Sequence, residues 1–307
     1  MLPEIAITDD GNYIAAFLTM RCPYSCGYCI NSFESDKRKR WSEMTGAEWI
    51  AGLSRLENLD RDEGAVPVTL QGGEPTIHKD FYEIINGAPE RIRLDILTNL
   101  GFDVGEMIRK VDPGRLRREA PYASIRVSYH PGQVKADELL AKTHRLLEAG
   151  FHIGIWAVLH PDQAEHVLAV QERARREGID FRTKEFLGWA NGKLYGEYKY
   201  PEACSLEVAE EVLCRTTELI IGPDGGIYRC HHDLYEQYEP VGYLLDPEFT
   251  MTGEYLPCDC FGHCNPCDVK VKTNRLQQFG HTSVTIKKYL AADRNFGLRK
   301  DSETLMF

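Results

Sequence analysis

Three thiols lie within eight residues, in Arg21-Cys22-Pro23-Tyr24-Ser25-Cys26-Gly27-Tyr28-Cys29-Ile30, directly after an apolar run. For a chain with ten cysteines in 307 residues, a C-x-x-x-C-x-x-C triplet arises by chance in only about 1% of shuffled sequences. Thiols at this spacing suggest a metal. Structural zinc wants four ligands in a closed tetrahedron, and the next Cys or His after Cys29 is His78, too remote for a local finger. A 4Fe-4S cube on three thiolates leaves one iron without a protein ligand, and an open metal position is where a small molecule can be bound and activated. Zinc and a plain reactive thiol stand as the alternatives.

The triplet, with the aromatic Tyr28 just before its last cysteine, resembles the signature of the radical S-adenosylmethionine (SAM) superfamily. Gly72-Gly73-Glu74-Pro75, about 43 residues further on and after the apolar segment Val66 to Gln71, resembles the GGEP motif of the same superfamily. The resemblance implies that Cys22, Cys26 and Cys29 hold the catalytic cluster, that Gly72, Gly73 and Glu74 hold the methionine amino group of SAM, and that Tyr28 packs near adenine. It also implies the chemistry, in which SAM is cleaved reductively and a 5'-deoxyadenosyl radical takes hydrogen from a substrate, an oxidoreductase-type activity.

The positioning elements follow from periodicity. Asn12 to Met20 is apolar on both faces, as in a strand buried in a parallel sheet. Thr45-Gly46-Ala47-Glu48 fits a capping box ahead of Trp49, Ile50, Leu53 and Leu56 at helical spacing. The same strand-then-helix unit recurs: strands at 66–71, 92–98, 125–129, 152–159 and 179–187, and helices near 81–85, 104–111, 139–147 and 162–177, two of them stopped by Gly150 and Gly178. Strands alternating with helices predict an α/β fold with a parallel sheet. By resemblance this is the partial (β/α)6 barrel of the radical SAM core over residues 1–188, although the pattern equally fits an open doubly wound sheet.

Ligands of such sheets sit at the C-terminal strand ends. Those positions hold Thr98, Asn99, Ser128, His130, Trp156, His160, Lys184 and Glu185. Thr98-Asn99 resembles the family's element after its third strand, and Ser128 stands where the family often contacts ribose. Ordinary strand-end capping is the competing reading for these three, and a turn histidine for His130 and His160, each followed by proline.

From Gly188 to Ala203 the chain is polar and rich in Gly, Tyr and Pro, and it reads as a connection into a second unit over 189–307. Ser205 onward suggests a short capped helix ending near Cys214, followed by a β-hairpin of Leu219-Ile220-Ile221 and Ile227-Tyr228-Arg229. Cys214 and Cys230 flank that hairpin, and Cys258, Cys260, Cys264 and Cys267 follow. This layout resembles the small α+β SPASM and twitch extensions of SAM enzymes, which implies one auxiliary 4Fe-4S cluster. Cys214, Cys230, Cys264 and Cys267 are the preferred ligands, with Cys260 or Cys258 as replacements. The C-x-C-x3-C-x2-C spacing departs from the full SPASM pattern, and a structural zinc is the competing reading. Cys204 reads as a bystander, and His231, His232 and His263 as neighbours of the thiols.

Composition bounds the partners. A net charge of -11 disfavours nucleic acid, and the amino-terminal ten residues lack a signal peptide's basic and apolar regions. No apolar run is long enough for a membrane span, so the expected location is cytoplasmic, where thiols stay reduced. Lys37-Arg38-Lys39-Arg40 is either a solvated loop or a docking patch for a flavodoxin-type reductant or an anionic substrate. About a dozen residues precede the first strand, whereas many peptide-modifying relatives carry a leader-binding module there. The expected substrate is therefore a small polar molecule such as a sugar, nucleoside or amino acid derivative, with modification of a ribosomally made peptide as the alternative. A non-catalytic iron-sulfur sensor is the rival from another class.

Two metal sites predict two metal pools. A Cys22→Ala, Cys26→Ala, Cys29→Ala variant should retain iron and sulfide at the C-terminal thiols. Zinc there instead, by elemental analysis, would remove the auxiliary cluster.

Overall fold

The computed structural model describes residues 2–29, 41–62, 64–198, 210–261, 270–271 and 284–288. Six parallel strands carry the molecule: β1 (Tyr13–Thr19), β2 (Val68–Gly72), β3 (Leu94–Thr98), β4 (Ile125–Tyr129), β5 (Ile153–Leu159) and β6 (Phe181–Glu185). They lie in the sheet in sequence order. A doubly wound sheet reverses its strand order at a switch point; this one does not. Right-handed crossovers between sequential neighbours put the five crossover helices on the same side.

That side is the apolar one. Ile14, Ala16 and Leu18 of β1, Val68 and Leu70 of β2, Leu94 and Ile96 of β3, and Ile125, Val127 and Tyr129 of β4 share one core. Packed into it are Trp49 and Leu53 of α1 (Gly46–Leu53), Ile84 and Ile85 of α2 (Phe81–Gly87), and Met107 of α3 (Val104–Lys110). Leu139 and Leu146 of α4 (Ala136–Glu148) and Val167 and Ala174 of α5 (Ala164–Arg176) complete it. The capping box of α1 is formed as the sequence predicts, with Thr45 accepting from Glu48 N and Glu48 bonding back to Thr45; such a cap is worth about 1 kcal/mol.

Successive strand residues point to opposite faces, so the other face carries Thr69, Gln71, Asp95, Arg126 and Ser128. Asp95 is wholly buried and held bidentately by Arg118, both contacts at 2.7 Å, with Arg126 at 3.2 Å. Arg126 also donates to Thr69 Oγ1 at 3.3 Å, and Tyr13 donates to Gln71 Oε1 at 3.2 Å. One face is thus oily and closed by the crossover helices; the other carries these polar groups on β2 to β4 and the apolar Ala15 and Phe17 on β1.

Two features differ from the sequence reading. Segment 210–216 is a strand, β7 (Glu210–Thr216), not a helix ending near Cys214. The hairpin β8 (Glu218–Ile221) and β9 (Gly226–Tyr228) forms as expected, with β10 (Gly242–Tyr243) beside it. It does not stand apart from the main sheet, because β8 pairs in parallel with β1 and extends that sheet beyond its first strand. β7 is instead the middle strand between β11 (Leu256–Phe261) and β12 (Val284–Lys288). Pairing on both sides decides Glu210–Thr216 as a strand, and residues 205–209 of the expected helix lie outside the described residues. The supposed connection after Gly188 contains a hairpin, Gly188–Ala190 with Lys193–Tyr195, turned by Asn191 and Gly192 at positive φ; Asn-Gly is the local signal for it.

No helix among the described residues is long and apolar enough to cross a membrane. Because Asp95 has no exposed surface, Arg118→Met should lower stability by about 3 kcal/mol in urea unfolding, the cost of a buried charge losing its main partner. A loss below about 0.5 kcal/mol, as for a surface substitution, would show that Arg126 suffices.

Candidate functional site

The chain leaves β1 at Thr19 and enters the thiol loop through Met20 and Arg21. Beside it, β2 ends in Gly72, and two backbone bonds stitch the strand ends together: Gly73 N donates to Thr19 O and Glu74 N to Arg21 O, each at 2.8 Å. The approach leaves no room for side chains. A Cβ on Gly72 would lie 2.0 Å from Thr19 O, and one on Gly73 would lie 2.2 Å from Arg21 O. Gly72 also has φ +147°, a conformation open to glycine alone.

The crossing aims Glu74 inward. Its side chain is buried, with Oε1 accepting from Thr98 Oγ1 (2.8 Å), Thr76 Oγ1 (2.6 Å) and Thr76 N (3.2 Å), and Oε2 accepting from Asn99 N (2.6 Å). Burial pushes its pKa up, and these donors pull it back. Among the described residues no Lys, Arg or His forms an ion pair with it. A buried carboxylate with donors but no cation fits a ligand ammonium.

Asn99 ties this carboxylate to the thiols. Its Nδ2 donates to Cys22 Sγ at 3.6 Å, and its Oδ1 accepts from Gly101 N at 2.8 Å. Leu100, next along, takes φ +59°, an uncommon conformation for a branched side chain. In the loop itself, Tyr24 N donates to Cys22 Sγ at 3.5 Å and Cys29 N to Cys26 O at 3.0 Å. Gln133 clamps the middle by accepting from Ser25 N (3.1 Å) and donating to Ser25 O (3.2 Å).

Burial first pushes Cys22 and Cys26 up, Cys26 to about 11; the charges of Glu74 and then Cys29 add to this at Cys22, and those of Cys29 and Cys22 at Cys26. Ionised together they repel, and a cationic iron centre relieves that repulsion. No three Cys, His, Asp or Glu side chains among the described residues converge on a point that would grip one metal ion. A cluster, in which separate irons take separate thiolates, needs them spread around it.

Tyr28 stands between two histidines. Its hydroxyl lies 3.0 Å from His130 Nδ1, and its ring stacks on His160 at 5.6 Å and 22°. Burial raises Tyr28 to about 12 and lowers His130, so a neutral phenol donates to a neutral imidazole. Ser128 lies two residues before His130, half-buried and in register with Trp156.

A second group of thiols forms where β7 meets β11. Val212 pairs with Cys258 and Cys214 with Leu256, so Cys214 and Cys258 share a face, and the two thiols are hydrogen-bonded. Half-buried Cys230, at the amino-terminal cap of α6 (His231–Tyr235), is near enough to Cys258 to feel its charge. Cys258 therefore stands beside Cys214 and Cys230 in the fold. The antiparallel pairing brings it there, which spacing alone does not reveal. The Cys260 side chain, Cys204, Cys264, Cys267, His263 and the 37–40 basic run lie outside the described residues.

Thr76, Gln133 and Arg229 were not singled out in the sequence. Thr76 had a local signal, two residues after Glu74; Gln133 had none, its partner being 108 positions away.

Parts of the chain are similar to known proteins. The PqqA peptide cyclase of a Methylobacterium species is 29% identical over 192 residues, covering 58% of this chain and 48% of that protein. That of Granulibacter bethesdensis is 26% identical over 218 residues, covering 68% and 56%. These relatives support the reading of the chain as a radical SAM superfamily enzyme. The chain spans about half the length of the curated relatives it matches. A solved structure of native anSMEcpe with bound AdoMet and Kp18Cys peptide aligns at a TM-score of 0.49, with 12% identity over 80% of this chain and 78% of that one. No protein-family model matches the chain.

The stitched strand ends give a direct test. Gly73→Ala should push the thiol loop away from Glu74, lowering reconstituted iron and weakening SAM binding by more than about tenfold, or 1.4 kcal/mol, in anaerobic equilibrium dialysis. Unchanged iron and affinity would separate the two motifs functionally.

Proposed function

We propose that this chain is a radical SAM enzyme that modifies a ribosomally made peptide. The supporting observation is the junction at which Glu74, buried and with no cation paired to it among the described residues, is tied through Asn99 to Cys22. That arrangement sets an ammonium site beside a three-thiol cluster site. In this reading Cys22, Cys26 and Cys29 hold the 4Fe-4S cluster, and Gly72, Gly73 and Glu74 receive the methionine amine. Thr98 and Asn99 orient Glu74. Tyr28, braced by His130 and His160, lines the adenine side, and Ser128 faces the ribose. When bound, cluster and SAM together supply hydrogen-atom abstraction by a 5'-deoxyadenosyl radical.

The chain's own residues do the positioning. Gly72 and Gly73 permit the close crossing, Gln133 holds the loop, and the polar inner face of the sheet offers the substrate hydrogen-bonding groups. Sequential strand order with helices on one side supports a partial (β/α)6 barrel over residues 1–188. Cys214, Cys230 and Cys258, with a further thiol from Cys260, Cys264 or Cys267, would hold an auxiliary 4Fe-4S cluster in a SPASM/twitch-like region over 189–307. A flavodoxin-type reductant and a cytoplasmic setting belong to the same reading.

The substrate reading shifts from a small polar metabolite to a peptide because the matched relatives act on PqqA peptide. Reconstituted protein, reduced with dithionite in the presence of SAM, should form 5'-deoxyadenosine, and a PqqA-type precursor peptide should accelerate this and change mass. Absence of 5'-deoxyadenosine would remove the enzyme reading; acceleration by small metabolites alone would remove the peptide.

A further inference from the structure

Arg229 lies between Tyr228, the last residue of β9, and Cys230. Its side chain turns inward and is only 6% exposed. Nη2 pairs with Asp233 Oδ1 in α6 at 3.0 Å, and Nη1 donates to the carbonyl of Pro257, the residue before Cys258. The guanidinium is thus pinned from two sides, by the helix that Cys230 caps and by the strand that carries Cys258. Its Nε is buried with no acceptor among the described residues, although nearly all buried donors in folded proteins have one. Sulfur is the acceptor chemistry nearby: Cys230 is adjacent in sequence, Cys258 follows Pro257, and Cys214 is hydrogen-bonded to Cys258. The charges of all three thiols act on Arg229.

We infer that Arg229 is a potential-setting residue for an iron-sulfur centre held by Cys214, Cys230 and Cys258, donating its Nε hydrogen to a sulfur of that centre and placing a permanent positive charge beside it. This rests on the auxiliary-cluster reading given above. Reduction adds negative charge to a cluster, so a fixed cation and a hydrogen bond to sulfur favour the reduced form and raise the potential. Guanidinium remains charged at every pH a protein tolerates, so the offset does not titrate away. Asp233 fixes the direction of the fork and leaves Nε as the edge free to meet sulfur. Lysine at this position would keep the charge and lose the fork geometry.

The test uses the full chain with Cys22→Ala, Cys26→Ala and Cys29→Ala, so that only the C-terminal centre is read. In this background we compare Arg229→Lys and the paired change Arg229→Met with Asp233→Asn, the second substitution avoiding a stranded carboxylate. Iron content, thermal melting by circular dichroism, and the midpoint potential from a redox titration followed by electron paramagnetic resonance are measured. The paired variant should keep its iron and fold while its potential falls by at least the equivalent of a tenfold change in the one-electron equilibrium, about 59 mV. Arg229→Lys should fall between it and the parent. Iron retained at an unchanged potential overturns the role of Arg229 and leaves the auxiliary cluster standing. Iron lost from both variants with the fold intact also overturns it, since the arginine would then serve assembly. A parent that holds no iron at these thiols overturns the auxiliary reading and the inference together.

Discussion

Two backbone hydrogen bonds, from Gly73 N to Thr19 O and from Glu74 N to Arg21 O, govern the geometry of the whole site. They join the ends of the first two parallel strands at a separation that no Cβ tolerates. Because one strand leads straight into the thiol loop and the other into the glutamate, the thiols and the carboxylate are fixed relative to each other by main chain. Main-chain fixing is stiff: it does not depend on side-chain rotamers, and it lets Asn99 bridge Glu74 and Cys22 with short contacts. The carboxylate's burial and the thiols' mutual repulsion are costs that this geometry holds in place until cationic groups offset them.

The sheet explains why these groups meet at one end. Sequential strand order sends the five crossover helices to the apolar face, which leaves the opposite face of β2 to β4 to polar side chains such as Gln71, Asp95, Arg126 and Ser128. Several of these pair with one another, as in the Asp95 to Arg118 and Arg126 network, while Gln71 Nε2 and Arg126 Nε are buried with no partner among the described residues. The ends of β1 to β5 then deliver Cys22, Glu74, Asn99, His130 and His160 to the same rim, where Tyr28 is wedged between the two imidazoles.

The second thiol group is joined to the first through structure, not by a free linker. β8 continues the sheet from β1, and α6 follows from the same hairpin. The ring of His231 lies 6.1 Å from Tyr13 and 5.8 Å from Phe17, and Tyr235, at the far end of α6, is near enough to Cys29 to feel its charge. One short helix therefore has Cys230 at its start and the Cys22 to Cys29 loop near its end.

The chain alone was enough for the six parallel strands, the capping box at Thr45, the hairpin around Gly225 and the pairing of a C-x-x-x-C-x-x-C triplet with Gly72-Gly73-Glu74-Pro75. Each rests on periodicity or on residues close in sequence, where local sterics and hydrogen bonding decide. The strand at 210–216 escaped that reading because its identity comes from two partners 40 and more residues away, and the same pairing, invisible in spacing, brought Cys258 to Cys214. Choosing between a doubly wound and a sequential sheet likewise required strand neighbours to be seen. So did the clamp of Gln133 on Ser25 and the anchoring of Arg229 between Asp233 and Pro257. Amino-acid types determined which chemistry this protein can hold; only the folded backbone decided which groups share it, because contacts between distant segments carry no local signature.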